Sequence, residues 1–230
     1  MIKEYLRKQI DYRNEGSIAQ KTRAKRMKFF NDYFEDIFLR NKGVTSHIRI
    51  LDIGGTPDYW KYLNFKYIKN VSIISLNLEV IEVPEDFKEI ITSVKGTAIN
   101  MCEFPDQSFD LVFSNSVIEH VGDYHDQMKM ANEMKRIGVH GFLQTPNKFF
   151  LMEPHFLFPY FQLLPNRMKE ELVFRFSLGY FKKAQDRNEA REIANSVQLL
   201  SICQLKRLFP WAKIYKEKWM GLTKSFVLNW

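Results

Sequence analysis

Residues 48–55 read Ile48-Arg49-Ile50-Leu51-Asp52-Ile53-Gly54-Gly55. A short branched-aliphatic run that ends in an acid and two glycines has the pattern of a buried strand running into a tight turn. VSIISLNLEV (71–80) repeats it, FDLVFSNS (109–116) is a third segment and HGFLQT (140–145) a fourth. Between them lie stretches long enough for helices, such as 122–137. Short apolar strands alternating with helices predict an α/β fold with a parallel sheet covered on both faces. Ligands of such sheets sit outside the carboxyl ends of the strands, so the Asp52–Thr56 turn is placed to meet one.

Upstream, Met27, Phe30, Phe34 and Ile37 recur at spacings of three and four, the signature of one buried helix face. Asn41, Lys42 and Gly43 stop that helix, which gives an N-terminal helical cap over 1–42 and a main domain over 43–230. Lys21, Arg23, Lys25, Arg26 and Lys28 surround the apolar face. They read as a solvated helix surface or as a contact for phosphate or anionic lipid. Downstream, Ser201 and Gln204 form a capping box before a helix reaching Pro210. AKIYKEKWM (212–220) and KSFVLNW (224–230) then read as two strands joined by a Gly-Leu-Thr turn. Residues 146–196 form a long connection rich in Phe, Pro and Leu, and a connection of that length is usually functional. It reads as a substrate lid. Its aromatic stripe, Phe149, Phe150, Phe156, Phe158, Tyr160 and Phe161, reads as core and lid packing or as an apolar acceptor channel or membrane-contacting flap.

The composition narrows the classes. With 230 residues, 45% hydrophobic, and only 10 Gly and 8 Pro, a disordered or collagen-like chain is excluded. Cys102 and Cys203 are too few for a disulfide framework or a cysteine-only zinc site. The charged start and the lack of a long apolar run predict a cytoplasmic protein. Thirty-four Lys and Arg against 27 Asp and Glu give +7, which favours anionic partners without choosing among them. No Gly-Lys-Ser/Thr follows the glycines, so the turn is not a phosphate-cradling loop. The full Gly-x-Gly-x-x-Gly of dinucleotide sites is missing too.

Five segments together carry a resemblance: ILDIGGTPDYW (50–60), SLNLE (75–79), FPDQSFDLVFSNSVIEHV (104–121), GFLQTPN (141–147) and GLTKSF (221–226). In order and spacing they resemble the class I S-adenosylmethionine-dependent methyltransferases, in particular the type 11 group. The resemblance implies a Rossmann-like seven-stranded sheet with an antiparallel last strand, and S-adenosylmethionine as cofactor. It implies that Asp52, Gly54, Gly55 and Thr56 lie beside the amino-acid part of the cofactor. Asn77, with Glu79 two residues on, takes the place of the acid that holds the ribose. Thr97, Ala98 and Asn100 of GTAINM border the adenine, and Ser114, Asn115 and Ser116 line the methionine end. Thr56, Asp58, Asn77 and Thr97 depart from the residues usual in the family.

Methyl transfer from a sulfonium is an in-line displacement, so the protein mainly aligns donor and nucleophile. An oxygen acceptor also needs a base. His155, in Met152-Glu153-Pro154-His155-Phe156, is the leading candidate, with Glu153 and His120 as further candidates; Tyr124 and His125 read as surface-loop residues. Some relatives hold a metal with Glu-x-x-Glu-His at the place of Glu119-His120. Ser116 replaces the first Glu here, so no metal is expected. The resulting expectation is methylation, at oxygen, of a small-molecule, sugar or lipid-linked glycan acceptor. Peripheral contact with an anionic inner membrane face goes with it. An RNA methyltransferase and an inactive cofactor-binding regulator are the alternatives. The residues after the fourth segment, SNSV, lack the Pro-Pro of base-nitrogen methylating enzymes, so no specific nucleic-acid partner is expected.

Overall fold

The computed structural model describes residues 16–36, 47–62 and 70–230. Seven strands form one sheet in the order β3-β2-β1-β4-β5-β9-β8. Their ranges are β1 Ile48–Ile53, β2 Val71–Asn77, β3 Ile91–Lys95, β4 Phe109–Asn115, β5 Gly138–Pro146, β8 Lys213–Trp219 and β9 Leu222–Asn229. The strands β3 to β5 pair in parallel, and β9 enters antiparallel between β5 and β8. This is the Rossmann-like sheet with an antiparallel last strand. Strand order reverses between β1 and β4, so both open their carboxyl ends toward the same crevice.

β3 has no counterpart among the strands read from the sequence. It is a five-residue edge strand with only Ile91 fully buried, so it shows no continuous apolar run. The turn between β8 and β9 is Met220-Gly221 rather than Gly-Leu-Thr. Both residues have positive φ (48° and 82°), the combination a two-residue hairpin of matching twist requires.

Helix α1 (Ile18–Phe34) begins at Ser17, whose hydroxyl accepts from Gln20 N. Its Met27, Phe30 and Phe34 are fully buried. Phe30 meets Trp60, Phe113 and Phe142 edge-on at 5.1–5.8 Å, and Phe113 stacks on Phe142. The helix therefore packs into the core of one sheet face. Ile37 and the stop at 41–43 lie outside the described residues.

The other sheet face is covered by α2 (Tyr124–Ile137) and α5 (Ile202–Leu208), through Met130, Ala131, Met134, Ile137, Leu205 and Leu208. Asp123 caps α2 by accepting from His125 N and Asp126 N. Tyr124 and His125 thus form its first turn instead of a loop. Ser201 and Gln204 make the capping box of α5.

The 146–196 insertion has a core of its own. A two-residue hairpin, β6 (Met152–Glu153) with β7 (Phe158–Pro159), leads into α3 (Asn166–Arg175) and α4 (Arg187–Asn195). Phe156 stacks on Phe161 at 3.9 Å and on Phe181 at 4.7 Å, over Val173, Ala190 and Ala194. Phe149 and Tyr160 point outward, 62% and 48% exposed, so the aromatic stripe divides between core and surface.

Candidate cofactor cleft and acceptor end

The glycine turn is built from the strands beneath it. Gly54 has φ +68°, and a Cβ there would stand 2.6 Å from a Val117 methyl. A Cβ on Gly55 would fall 1.8 Å from the Asp52 carboxylate. Only glycine fits at either position. Gly54 N donates to Leu76 O, while Ser75 Oγ and Asn77 Nδ2 both donate to Gly55 O at 3.2 Å.

Beside this turn lies a cleft of about 720 Å³. Gly54, Asn77, Glu79, Thr97, Ala98, Ser116 and His120 line it. Seven of these were singled out from sequence. Ile81, Ile99 and Val121 also line it. They form an apolar wall; Ile99 and Val121 fall inside the quoted segments and Ile81 outside them, but an aliphatic residue in a loop gives no sign of its role. Glu79 is bound to Lys95 at 2.9 Å on the exposed rim.

Other expected residues stand elsewhere. Asn100 and Thr56 are exposed and outside the cleft lining. Asn115 accepts from Arg26 Nη1 at 2.7 Å, which ties the end of β4 to α1. Asp52 and Ser114 are fully buried under the turn, at the ends of adjacent strands. Trp60 Nε1 donates to Asp52 Oδ2 at 2.7 Å. Asp52 Oδ1 and Ser114 Oγ have no hydrogen-bond partner among the described residues. Burial pushes the Asp52 carboxyl up to about 7, against the Trp60 hydrogen bond and the Arg23 charge. A buried carboxylate with an unused oxygen suits a cationic ligand group.

Residues 51–141 match the family model of a methyltransferase domain. That segment carries the sequence pattern of a methyltransferase domain. Its sheet aligns with the DszA carbon methyltransferase (TM-score 0.58, 12% identity) and the CurJ carbon methyltransferase (0.57, 14%), covering 94% of this chain and 55% of each of those. The methyltransferase thus spans about half the length of either. It also aligns with the PH0226 protein from Pyrococcus horikoshii OT3 (0.53, 12%), over 96% of this chain and 94% of that one. At such identities the likeness is one of fold. Comparison with curated protein sequences gives no match.

S-adenosylmethionine is the cofactor of the methyltransferase, and the residues present fit it: an unsatisfied buried carboxylate oxygen under the turn, and an elongated cleft with an amide and a carboxylate on its wall. The histidine side of the cleft is equally built. The turn after β4 passes through Ser116 at φ +56°, whose hydroxyl donates to Gln144 Oε1. It then forms a 3₁₀ turn over Ile118–His120. Glu119 is fully buried; Thr145 Oγ1 donates to its Oε2 at 2.9 Å, and burial raises its carboxyl above the ordinary range. From the insertion comes Glu153, 1% exposed, which accepts from the backbone of His155 and Phe156 and from His155 Nδ1 at 2.7 Å. His155 Nε2 then meets His120 Nε2 at 3.2 Å. Burial disfavours charge on His155, and Glu153 more than offsets it, so its pKa is raised. Gly179, at φ +52°, backs the histidine; a Cβ there would stand 2.0 Å from His155 O. Residues 35 apart in sequence, expected separately as base candidates, are thus in contact.

Proposed function

We propose that the chain transfers the methyl group of S-adenosylmethionine to an oxygen of a small-molecule, sugar or lipid-linked glycan acceptor held beneath the 146–196 insertion. The observation that carries this reading is the meeting of His155, on the insertion, with His120, at the end of the cleft. In it Asn77 and Glu79 face the ribose, Thr97, Ala98 and Ile99 the adenine, and Gly54 and Ser116 the methionine end. Asp52 acts from below, offering negative charge to the cationic end of the cofactor through the glycine turn. The cofactor supplies an activated methyl. The chain's own residues hold the nucleophile in line with it and exclude water, where most of the rate gain lies. His155, fixed by Glu153, orients the acceptor.

No helix among the described residues is long and apolar enough to cross a membrane. Peripheral contact with an anionic membrane belongs to the same reading. It would rest on Lys21, Lys25 and Lys28, because Arg23 and Arg26 are turned inward. His155→Ala should abolish turnover on the acceptor while calorimetry shows unchanged cofactor affinity. Equal loss of both would make His155 a structural anchor and sink its catalytic role.

A further inference from the structure

We propose that Glu119, His120 and His155 form a binding site for a divalent first-row transition-metal ion at the acceptor end of the cleft. Sequence reading discounts a metal because Ser116 is not a ligand. The fold replaces that missing group with His155, which arrives from the insertion.

The argument begins with the outer ring nitrogens. His155 Nδ1 faces the Glu153 carboxylate at 2.7 Å. A nitrogen that faces an acceptor carries the hydrogen, which leaves the lone pair on the other nitrogen. The lone pair of His155 is then on Nε2, which lies 3.2 Å from His120 Nε2. Two ring nitrogens that approach this closely share either a proton or a cation. A spacing of about 3.0–3.4 Å is what two nitrogens bound to one ion at about 2.1 Å adopt, in octahedral or tetrahedral geometry.

The third group is Glu119. Its Oε1 is fully buried with no hydrogen-bond partner among the described residues, and the ligand atoms of all three residues lie within 4.8 Å of one another. An unpartnered buried carboxylate oxygen is costly, and a cation would offset that cost. The Glu153–His155 contact is the carboxylate–histidine arrangement that orients metal-bound imidazoles, and Thr145 orients Glu119 in the same way. Two imidazoles and one carboxylate favour Zn²⁺, Fe²⁺ or Co²⁺ over Mg²⁺ and Ca²⁺, which prefer all-oxygen sets. Three protein ligands leave positions open, and His120 lines the cleft, so an acceptor oxygen could complete the shell.

The inference is independent of the acceptor proposed above, and its test needs no turnover. Metal-free full-length chain is titrated with Co²⁺ near neutral pH, followed by visible absorption and calorimetry. One Co²⁺ per chain should bind, with ligand-field bands that Zn²⁺ abolishes and excess Mg²⁺ does not. His155→Ala and Glu119→Gln should each weaken binding by about tenfold or more. His125→Ala, on the exposed start of α2, should not. Circular dichroism checks folding, and if Glu119→Gln fails to fold, His155→Ala and His120→Gln decide. Failure of the wild-type chain to bind Co²⁺, or equal binding in the folded variants, would overturn the site.

Discussion

At the scale of single residues, Asp52 carries the clearest consequence. Its carboxyl is raised to about 7 by burial, so the folded chain holds a proton there that the unfolded chain releases at ordinary carboxylate pH. The folded state binds more protons over the interval from about pH 4 to about pH 7, so Asp52 makes stability fall as pH rises through it. Asp52→Asn should flatten that part of the stability profile, measured by urea denaturation across pH. Ionised Asp52 favours a cationic ligand, so S-adenosylmethionine affinity should rise through pH 7 in the wild-type chain and stay level in Asp52→Asn. A rise of the same size in both would remove Asp52 from the cofactor's surroundings. Gly179 gives a second prediction. A methyl group at 2.0 Å from His155 O must displace the histidine, so Gly179→Ala should lower acceptor turnover at least about tenfold with cofactor affinity kept. The Asp52–Gly55 turn was legible because strand, acid and glycines are contiguous. The His120–His155 contact was not, because it depends on how the insertion folds back.

At the scale of elements, α1 is held by a buried clamp. Arg26 donates through Nε and Nη2 to both Glu217 oxygens, at 3.0 and 2.9 Å, and through Nη1 to Asn115. The side chains are 9% and 23% exposed, so removing one partner strands a largely buried charge. Arg26→Ala should cost about 3 kcal/mol of stability. Lys25→Ala, on the exposed side, should stay within about 0.5 kcal/mol. Chemical denaturation of the two variants checks both. The spacing of Met27, Phe30 and Phe34 told which helix face is buried. It could not separate Arg26 from its basic neighbours, since its partner lies 191 residues away. The insertion resisted reading for a related reason. Its Phe, Leu and Ala residues serve a small core of their own, so their periodicity points away from the main sheet. β3 escaped because an edge strand buries one residue where a central strand buries most of its length.

At the scale of the whole molecule, three packed layers and one added lobe converge on the carboxyl edge of the sheet. Alternation of strand and helix, the glycine turn and the terminal hairpin were enough to anticipate the sheet. The family resemblance also placed about half of the cleft wall. The remaining half comes from apolar residues such as Ile81 and Ile99, which only the tertiary arrangement brings to the cleft. The central claim is that S-adenosylmethionine lies in this cleft, between the glycine turn and Ala98. Ala98 is half-buried on its wall beside the sheet core, and an indole there would fill the cleft. The direct measurement is calorimetric titration of S-adenosylmethionine into the wild-type chain and into folded Ala98→Trp. The account predicts one site per chain in the wild type and at least about a hundredfold weaker binding in the variant; undiminished binding in a folded Ala98→Trp would contradict it.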